Sequence, residues 1–199
     1  MVVGGWPKWA VGIVCRPSAV GFAQIETGRG GPYHESLMET LHGTGAVGDL
    51  RVGLVVSSYH DFITNPLRDA AVDALHEAGV VDAQIVVATV PGAFEIPQAA
   101  RRLAVFGGVE AVIGLGCLIR GETPHFDFIA AAVAHGLTRA AMDSGVPMSF
   151  GVLTTNSAEE ALARAGPGAS NKGREAAKAV LSMIHLFRQW PPPAAGQTG

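Results

Sequence analysis

Four short apolar runs, each followed by a segment of helical periodicity, constrain the fold of this chain more than any other feature. The runs are rich in valine, isoleucine and alanine, and they lie at residues 52–56, 85–90, 111–115 and 148–153. Such runs are typical of strands buried on both faces. Because helical segments separate them, the strands are expected to be parallel and joined by right-handed crossovers. The pattern predicts an α/β three-layer sandwich with a central four-stranded parallel sheet and helices on both faces.

The helices are predicted from apolar residues that recur on one face. Asn65-Pro66 is predicted to open the first helix, since proline is tolerated in a first turn, and Gly79 to end it. Ser157 and Glu160 form an S-x-x-E capping box that starts the fourth helix. The other helices are predicted at residues 95–106, 127–143 and 173–188.

The segments outside this pattern show no sustained period. We interpret residues 1–49, which are rich in glycine and proline, as an irregular N-terminal arm. Residues 50–189 are predicted to form one domain, and residues 190–199 a disordered proline-rich tail. An alternative is that Met38 is the true start of the protein.

The composition argues against several classes of protein. A formal net charge of −3 gives no chain-wide attraction to nucleic acid or to anionic lipid. No apolar run reaches the roughly 18 residues that a membrane-spanning helix needs. Two cysteines, Cys15 and Cys117, are too few for a disulfide framework, so free thiols and a cytoplasmic location are expected. Dinucleotide-binding, P-loop and nucleophile-elbow motifs are absent from the sequence.

Loops at the carboxyl ends of the strands are the candidate functional segments, because parallel α/β folds bind ligands there. Tyr59 follows the first strand and offers a face for stacking a planar ring, although an ordinary half-buried aromatic is the alternative. After the second strand, Gly92 keeps the backbone open to a ligand. Glu95 can accept hydrogen bonds from hydroxyl groups or simply interact favourably with a helix dipole.

The loop after the third strand is the most informative. Gly121 to Thr123 precede a helix N-terminus, whose free N–H groups attract phosphate. His125 lies beside them, and an imidazole is a side chain that can move protons, the alternative being a surface or capping histidine. Arg164 and Lys172 lie near later helix ends, where each is a phosphate ligand or a solvated surface charge. No histidine or cysteine spacing here suggests a metal site.

Five segments, taken together, resemble the lumazine synthase family. They are Val-Pro-Gly-Ala-Phe-Glu-Ile-Pro at 90–97, Ile-Arg-Gly-Glu-Thr-Pro-His-Phe-Asp at 119–127, Phe-Gly-Val-Leu-Thr-Thr at 150–155, Arg-Ala-Gly at 164–166 and Asn-Lys-Gly at 171–173. Their order and spacing are those of the family. The resemblance implies a flavodoxin-like fold and a transferase of riboflavin biosynthesis. Such an enzyme joins 5-amino-6-(D-ribitylamino)uracil to 3,4-dihydroxy-2-butanone 4-phosphate and releases phosphate, with no cofactor.

The resemblance also implies a role for each matching residue. His125 is expected to donate and accept protons. The ribitylaminouracil is expected to contact Tyr59, Ala93, Phe94, Glu95, Cys117, Leu118, Ile119 and Phe150. The keto-phosphate is expected to contact Glu122, Thr123, Arg164 and Lys172. Because Phe150 and Arg164 come from a neighbouring subunit in the family, a homo-oligomer is expected, either a pentamer or a sixty-subunit shell, with riboflavin synthase as a further partner.

Other readings stay open at this stage. One is a non-catalytic relative that binds a flavin or lumazine, but such a protein can lose His125 and Arg164, and both are present. Another is a protein whose main role is to assemble into a shell. A generic flavodoxin-like domain explains the strand–helix alternation but not five matching loops. Two positions also depart from the common family pattern, with Tyr59 in place of phenylalanine or tryptophan and His60 in place of asparagine.

Overall fold

A computed structural model of the protein describes residues 40–45 and 48–190. Its strands are β1 (Val52–Ser57), β2 (Ile85–Val90), β3 (Ala111–Ile119) and β4 (Met148–Thr155). They form one sheet in the order β2-β1-β3-β4, and all three pairings are parallel. This arrangement confirms the predicted parallel α/β sheet.

Five α-helices cover the two faces of the sheet in the described part of the chain. They are α1 (Asp61–Glu77), α2 (Ile96–Phe106), α3 (His125–Ser144), α4 (Ala158–Ala165) and α5 (Lys172–Gln189). Short 3-10 turns at Asp82–Gln84 and Ala93–Glu95 flank β2. Buried residues of α1, α4 and α5 pack in one core cluster, and those of α2 and α3 pack in another.

Strand residues alternate between these two cores, as the pleat of a strand requires. Leu54 and Ile113 belong to the cluster with α1, α4 and α5, whereas Val55 and Val112 belong to the cluster with α2 and α3. All six residues of β1 are buried. A strand with both faces covered reads as a continuous apolar run, which is why the sequence pattern located it.

The predicted start of the first helix is wrong. The helix α1 begins at Asp61, so Pro66 lies in its second turn and leaves one helical carbonyl without an N–H donor. Packing outweighs this local preference, because Ile63 and Leu67 on either side of the proline are fully buried. The hydroxyl of Thr64 also donates to the carbonyl oxygen of Ser57 at 2.7 Å and ties the first turn to β1.

Most other boundaries agree with the prediction. Gly79 has the positive φ of 93° that ends a helix, and β2 has the predicted bounds. The strands β3 and β4 are longer than predicted, because their ladder continues to the pair Ile119 and Thr155. The helix α3 begins at His125 instead of residue 127.

The predicted arm and tail lie mostly outside the described residues. Residues 40–45, 48 and 49 contain no helix or strand. The proposed alternative start at Met38 and the tail after Trp190 fall outside the described ranges and stay predictions. No described helix combines the length and the apolar character needed to cross a membrane.

Asn171 links the end of α4 to the start of α5. Its side chain is buried, and its Oδ1 accepts hydrogen bonds from the N–H groups of Gly173 at 2.8 Å and Arg174 at 3.3 Å. Its Nδ2 donates to the carbonyl oxygens of Ala165 at 2.7 Å and Gly166 at 3.0 Å. One amide therefore caps a helix and satisfies the last carbonyls of the preceding one.

We expect Asn171→Ala to lower the free energy of unfolding by about 3 kcal/mol, because a helix cap is lost and buried carbonyls lose their donor. Asn171→Ser is the matched control, because its hydroxyl keeps an acceptor for the start of α5 but is too short to donate to both carbonyls, and it should lose less. Denaturant unfolding at a fixed protein concentration measures both. A loss below about 1 kcal/mol in Asn171→Ala would show that the link is dispensable.

Candidate active site

A cavity of about 1090 Å³ opens at the carboxyl ends of the strands. Its walls come from the loop after β1, the turn after β2, the end of β3 and the first two turns of α3. The predicted site residues that line it are Tyr59, Ala93, Phe94, Glu95, Cys117, Leu118, Ile119, Thr123 and His125. The fold therefore brings together nine residues that the sequence placed in three separate loops.

An aromatic residue in a defined position forms one wall. The side chain of Tyr59 is 64% exposed, and its ring contacts the ring of His60 edge to face, with the centroids 4.4 Å apart. His60 has φ 60° and is the only non-glycine residue with a positive φ in the described part of the chain. A conformation that L-residues rarely adopt is kept only where the surroundings impose it. With His60 in this conformation, the ring of Tyr59 is exposed and suited to stacking on a planar ligand.

The floor of the cavity belongs to a strand. Residues 117–119 were expected in a loop, but they are the last residues of β3 and pair with β4. Cys117 is buried, and burial raises the pKa of its thiol to about 11. The thiol is therefore neutral at physiological pH and acts as apolar lining, not as a nucleophile.

The turn after β2 supplies a carboxylate. Glu95 occupies the position before α2, but its side chain makes no capping hydrogen bond with that helix, and it lines the cavity. A Cβ atom added at Gly92 would lie 3.1 Å from Oε2 of Glu95, so glycine gives this carboxylate its room. Carboxylate oxygens accept hydrogen bonds from hydroxyl groups, which suits a polyol such as a ribityl chain.

The start of α3 presents free hydrogen-bond donors. Pro124 precedes the helix and provides no side-chain cap. Within residues 40–45 and 48–190, the backbone N–H groups of Gly121, Glu122 and Thr123 have no protein acceptor. Free donors at the positive end of a helix dipole attract anions. His125, the first residue of α3, also lines the cavity, so an anion bound here would have an imidazole beside it.

Three predicted site residues lie elsewhere. Phe150, Arg164 and Lys172 line a separate cavity of about 460 Å³ formed by β4, α4 and α5. The strand β4 is at an edge of the sheet, and Phe150 is 45% exposed. The guanidinium of Arg164 donates to the carbonyl oxygen of Glu160 at 2.8 Å. One chain therefore places the predicted site residues in two separate cavities, and their union across a subunit boundary stays a prediction.

Several lining residues were not predicted as site residues. They include Phe128, Ile129 and Ala132, which lie three, four and seven residues after His125. This spacing puts them on the same face of α3 as the histidine. The helical spacing in the sequence could have placed these residues beside His125. The same apolar residues, however, also fit a helix face that packs on the core.

Comparison with known proteins agrees with this geometry. The family model of 6,7-dimethyl-8-ribityllumazine synthase matches residues 49–188. A protein of that name from Chlorobium phaeobacteroides is 44% identical over 153 residues, which cover 77% of this chain and 99% of that protein. One from Syntrophus aciditrophicus is 49% identical over 140 residues, or 70% of this chain and 91% of that protein.

The chain belongs to the lumazine synthase family. The family match includes the entire sheet and every residue that lines either cavity. Resemblance in five motifs therefore reflects similarity across the whole domain.

The high pKa of Cys117 predicts slow alkylation by iodoacetamide. At pH 8 the native thiol should react far more slowly than in unfolded protein, and its rate should rise as the pH approaches 11, where the thiolate forms. Peptide mass spectrometry separates Cys117 from Cys15. Cys117→Ala should also keep turnover within about twofold of wild type. Rapid alkylation of the native protein at pH 8 would contradict the assignment as inert lining.

Proposed function

We propose that this chain synthesises 6,7-dimethyl-8-ribityllumazine from 5-amino-6-(D-ribitylamino)uracil and 3,4-dihydroxy-2-butanone 4-phosphate, the penultimate step of riboflavin biosynthesis. Family membership supports a transferase of this pathway. The observation that carries the proposal is one cavity that combines an aromatic wall, an apolar floor and free N–H donors beside His125. These features match a flat heterocycle, a polyol chain and a phosphate.

The ribitylaminouracil is assigned to the aromatic end of the cavity. Its ring stacks on Tyr59 and lies over the floor of residues 117–119. Ala93 and Phe94 bound the ring, and Glu95 accepts hydrogen bonds from ribityl hydroxyls. Phe150 of a neighbouring copy closes the stack in this proposal, since within one chain it lines the other cavity.

The keto-phosphate is assigned to the start of α3. The N–H groups of Glu122 and Thr123 and the hydroxyl of Thr123 bind its phosphate. Arg164 of a neighbouring copy adds a planar fork of N–H donors. Lys172 is a secondary ligand, because its ammonium already pairs with Glu175 at 2.7 Å in the same helix.

The reaction requires two bound reactants and a proton carrier. The ring amine of the uracil attacks the ketone, and loss of water gives an imine. His125 removes a proton from the carbon beside the imine, and the carbon–oxygen bond to phosphate breaks with the electron pair leaving on phosphate. The enol left by this elimination becomes a methyl ketone, the ribitylamino nitrogen attacks its carbonyl carbon to close the second ring, and the carbonyl oxygen leaves as a second water. Positioning supplies much of the rate, and an acid–base group adds about a hundred- to ten-thousand-fold.

The split of the site implies an assembly of identical chains. A contact in which one surface meets a different surface on the next copy forms a ring when the rotation between copies closes. We infer a pentamer as the minimum unit, which light scattering would distinguish from a sixty-subunit shell. Riboflavin synthase, which consumes the product, is the proposed partner of this assembly, and the cytoplasm is its proposed compartment.

The proposal is tested by mixing the purified protein with both substrates and recording lumazine absorbance. We expect product from wild type, and we expect His125→Ala to lower kcat by about a hundredfold without abolishing it, because positioning remains. His135→Ala is the matched control, since His135 is exposed on the same helix but does not line the cavity. No product from wild type would refute the function, and normal turnover in His125→Ala would refute the role of that histidine.

A further inference from the structure

We propose that Arg120 and Asp127 act as a clamp that holds the phosphate-binding loop, residues 121–124, in its binding conformation. The proposal rests on the proposed function and adds two positioning residues to it. A basic side chain beside Gly-Glu-Thr suggests a direct phosphate ligand. The geometry points instead to a side chain that lines the cavity but is already paired with Asp127 in the same chain.

Arg120 and Asp127 form a two-pronged ion pair. The Nη1 of Arg120 donates to Oδ2 of Asp127 at 3.1 Å, and its Nη2 donates to Oδ1 at 2.9 Å. The guanidinium carbon also lies 4.3 Å from the centroid of the Phe126 ring. Parallel N–H···O bonds and a cation–π contact both depend on orientation, so together they hold the side chain in one geometry.

The pair joins the two ends of the loop. Arg120 directly follows β3, and its backbone N–H donates to the carbonyl oxygen of Thr155 in β4 at 2.9 Å. Asp127 lies in the first turn of α3. The clamp therefore connects the end of the sheet to the helix that carries His125.

The loop between these ends has little other support. All four of its residues are exposed, and a Cβ atom added at Gly121 would meet nothing within 4 Å. Among the described residues, the backbone N–H groups of 121–123 have no protein acceptor. A segment with few contacts samples many conformations, and only a few of these direct the donors and His125 at one phosphate.

Charge also argues against direct phosphate binding by Arg120. Asp127 neutralises the guanidinium and accepts from both of its terminal nitrogens. An incoming phosphate would have to compete with a carboxylate that is already in place. The two roles make opposite predictions for a variant that removes the charge of Asp127.

Asp127→Asn tests the clamp in the full-length protein. If the pair holds the loop, KM for the keto-phosphate should rise about tenfold, with KM for the ribitylaminouracil within about twofold of wild type. If Arg120 were a phosphate ligand, the variant would release it and KM for the keto-phosphate would stay the same or fall, which would overturn the proposal. Asp143→Asn is the matched control, because Asp143 pairs with Arg139 at 2.8 Å on the same helix and lines neither cavity.

Limited trypsin digestion tests the clamp without turnover. Trypsin cleaves after arginine, and an Arg120 held by Asp127 is protected. Asp127→Asn should therefore speed cleavage between residues 120 and 121 by about tenfold, whereas Asp143→Asn should match wild type. Mass spectrometry of the fragments identifies this cut. Unchanged cleavage would overturn the clamp, whereas wild type that digests as expected but makes no lumazine would refute only the proposed function.

Discussion

The unequal length of two strand pairings determines where the cavity beside His125 opens. The ladder between β1 and β3 ends at Val56 and Leu115, but the ladder between β3 and β4 continues to Ile119 and Thr155. The last residues of β3 therefore extend past β1 and β2 with one side uncovered. The loops after β1 and β2 and the first turns of α3 surround this extension, and the cavity is the space between them. Removing the extension would remove the floor on which the other site residues depend.

The sequence was sufficient to predict the layers of the fold but not the length of this extension. Buried strands are continuous apolar runs, so β1 and β2 could be located closely. Cys117 to Ile119 sit beside glycine and arginine, and only the partner strand makes them a ladder. The start of α1 was predicted wrongly at Pro66 for a related reason. The preference of proline for a first helical turn is outweighed by the burial of the neighbouring residues.

The site was predicted in part from chemistry and in part from resemblance. Free N–H groups before α3 and the imidazole beside them could be predicted from the sequence, because a loop directly ahead of a helix start has that chemistry. The assignment of Phe150 and Arg164 to a neighbouring subunit came from resemblance alone. Geometry adds that these two side chains line a different cavity from His125. The position of Arg120 against Asp127 and Phe126 required coordinates, since spacing does not show which way a guanidinium points.

The central claim is that a complete site combines His125 of one chain with Arg164 of the next. Subunit complementation tests it most directly, by co-expressing His125→Ala with Arg164→Ala and measuring lumazine formation by the mixed assembly. If the site is shared, random mixing leaves about one site in four with both native residues, and the mixture is much more active than either variant alone. If both residues serve a site within one chain, every site keeps one defect. A mixture no more active than its components would then contradict the account.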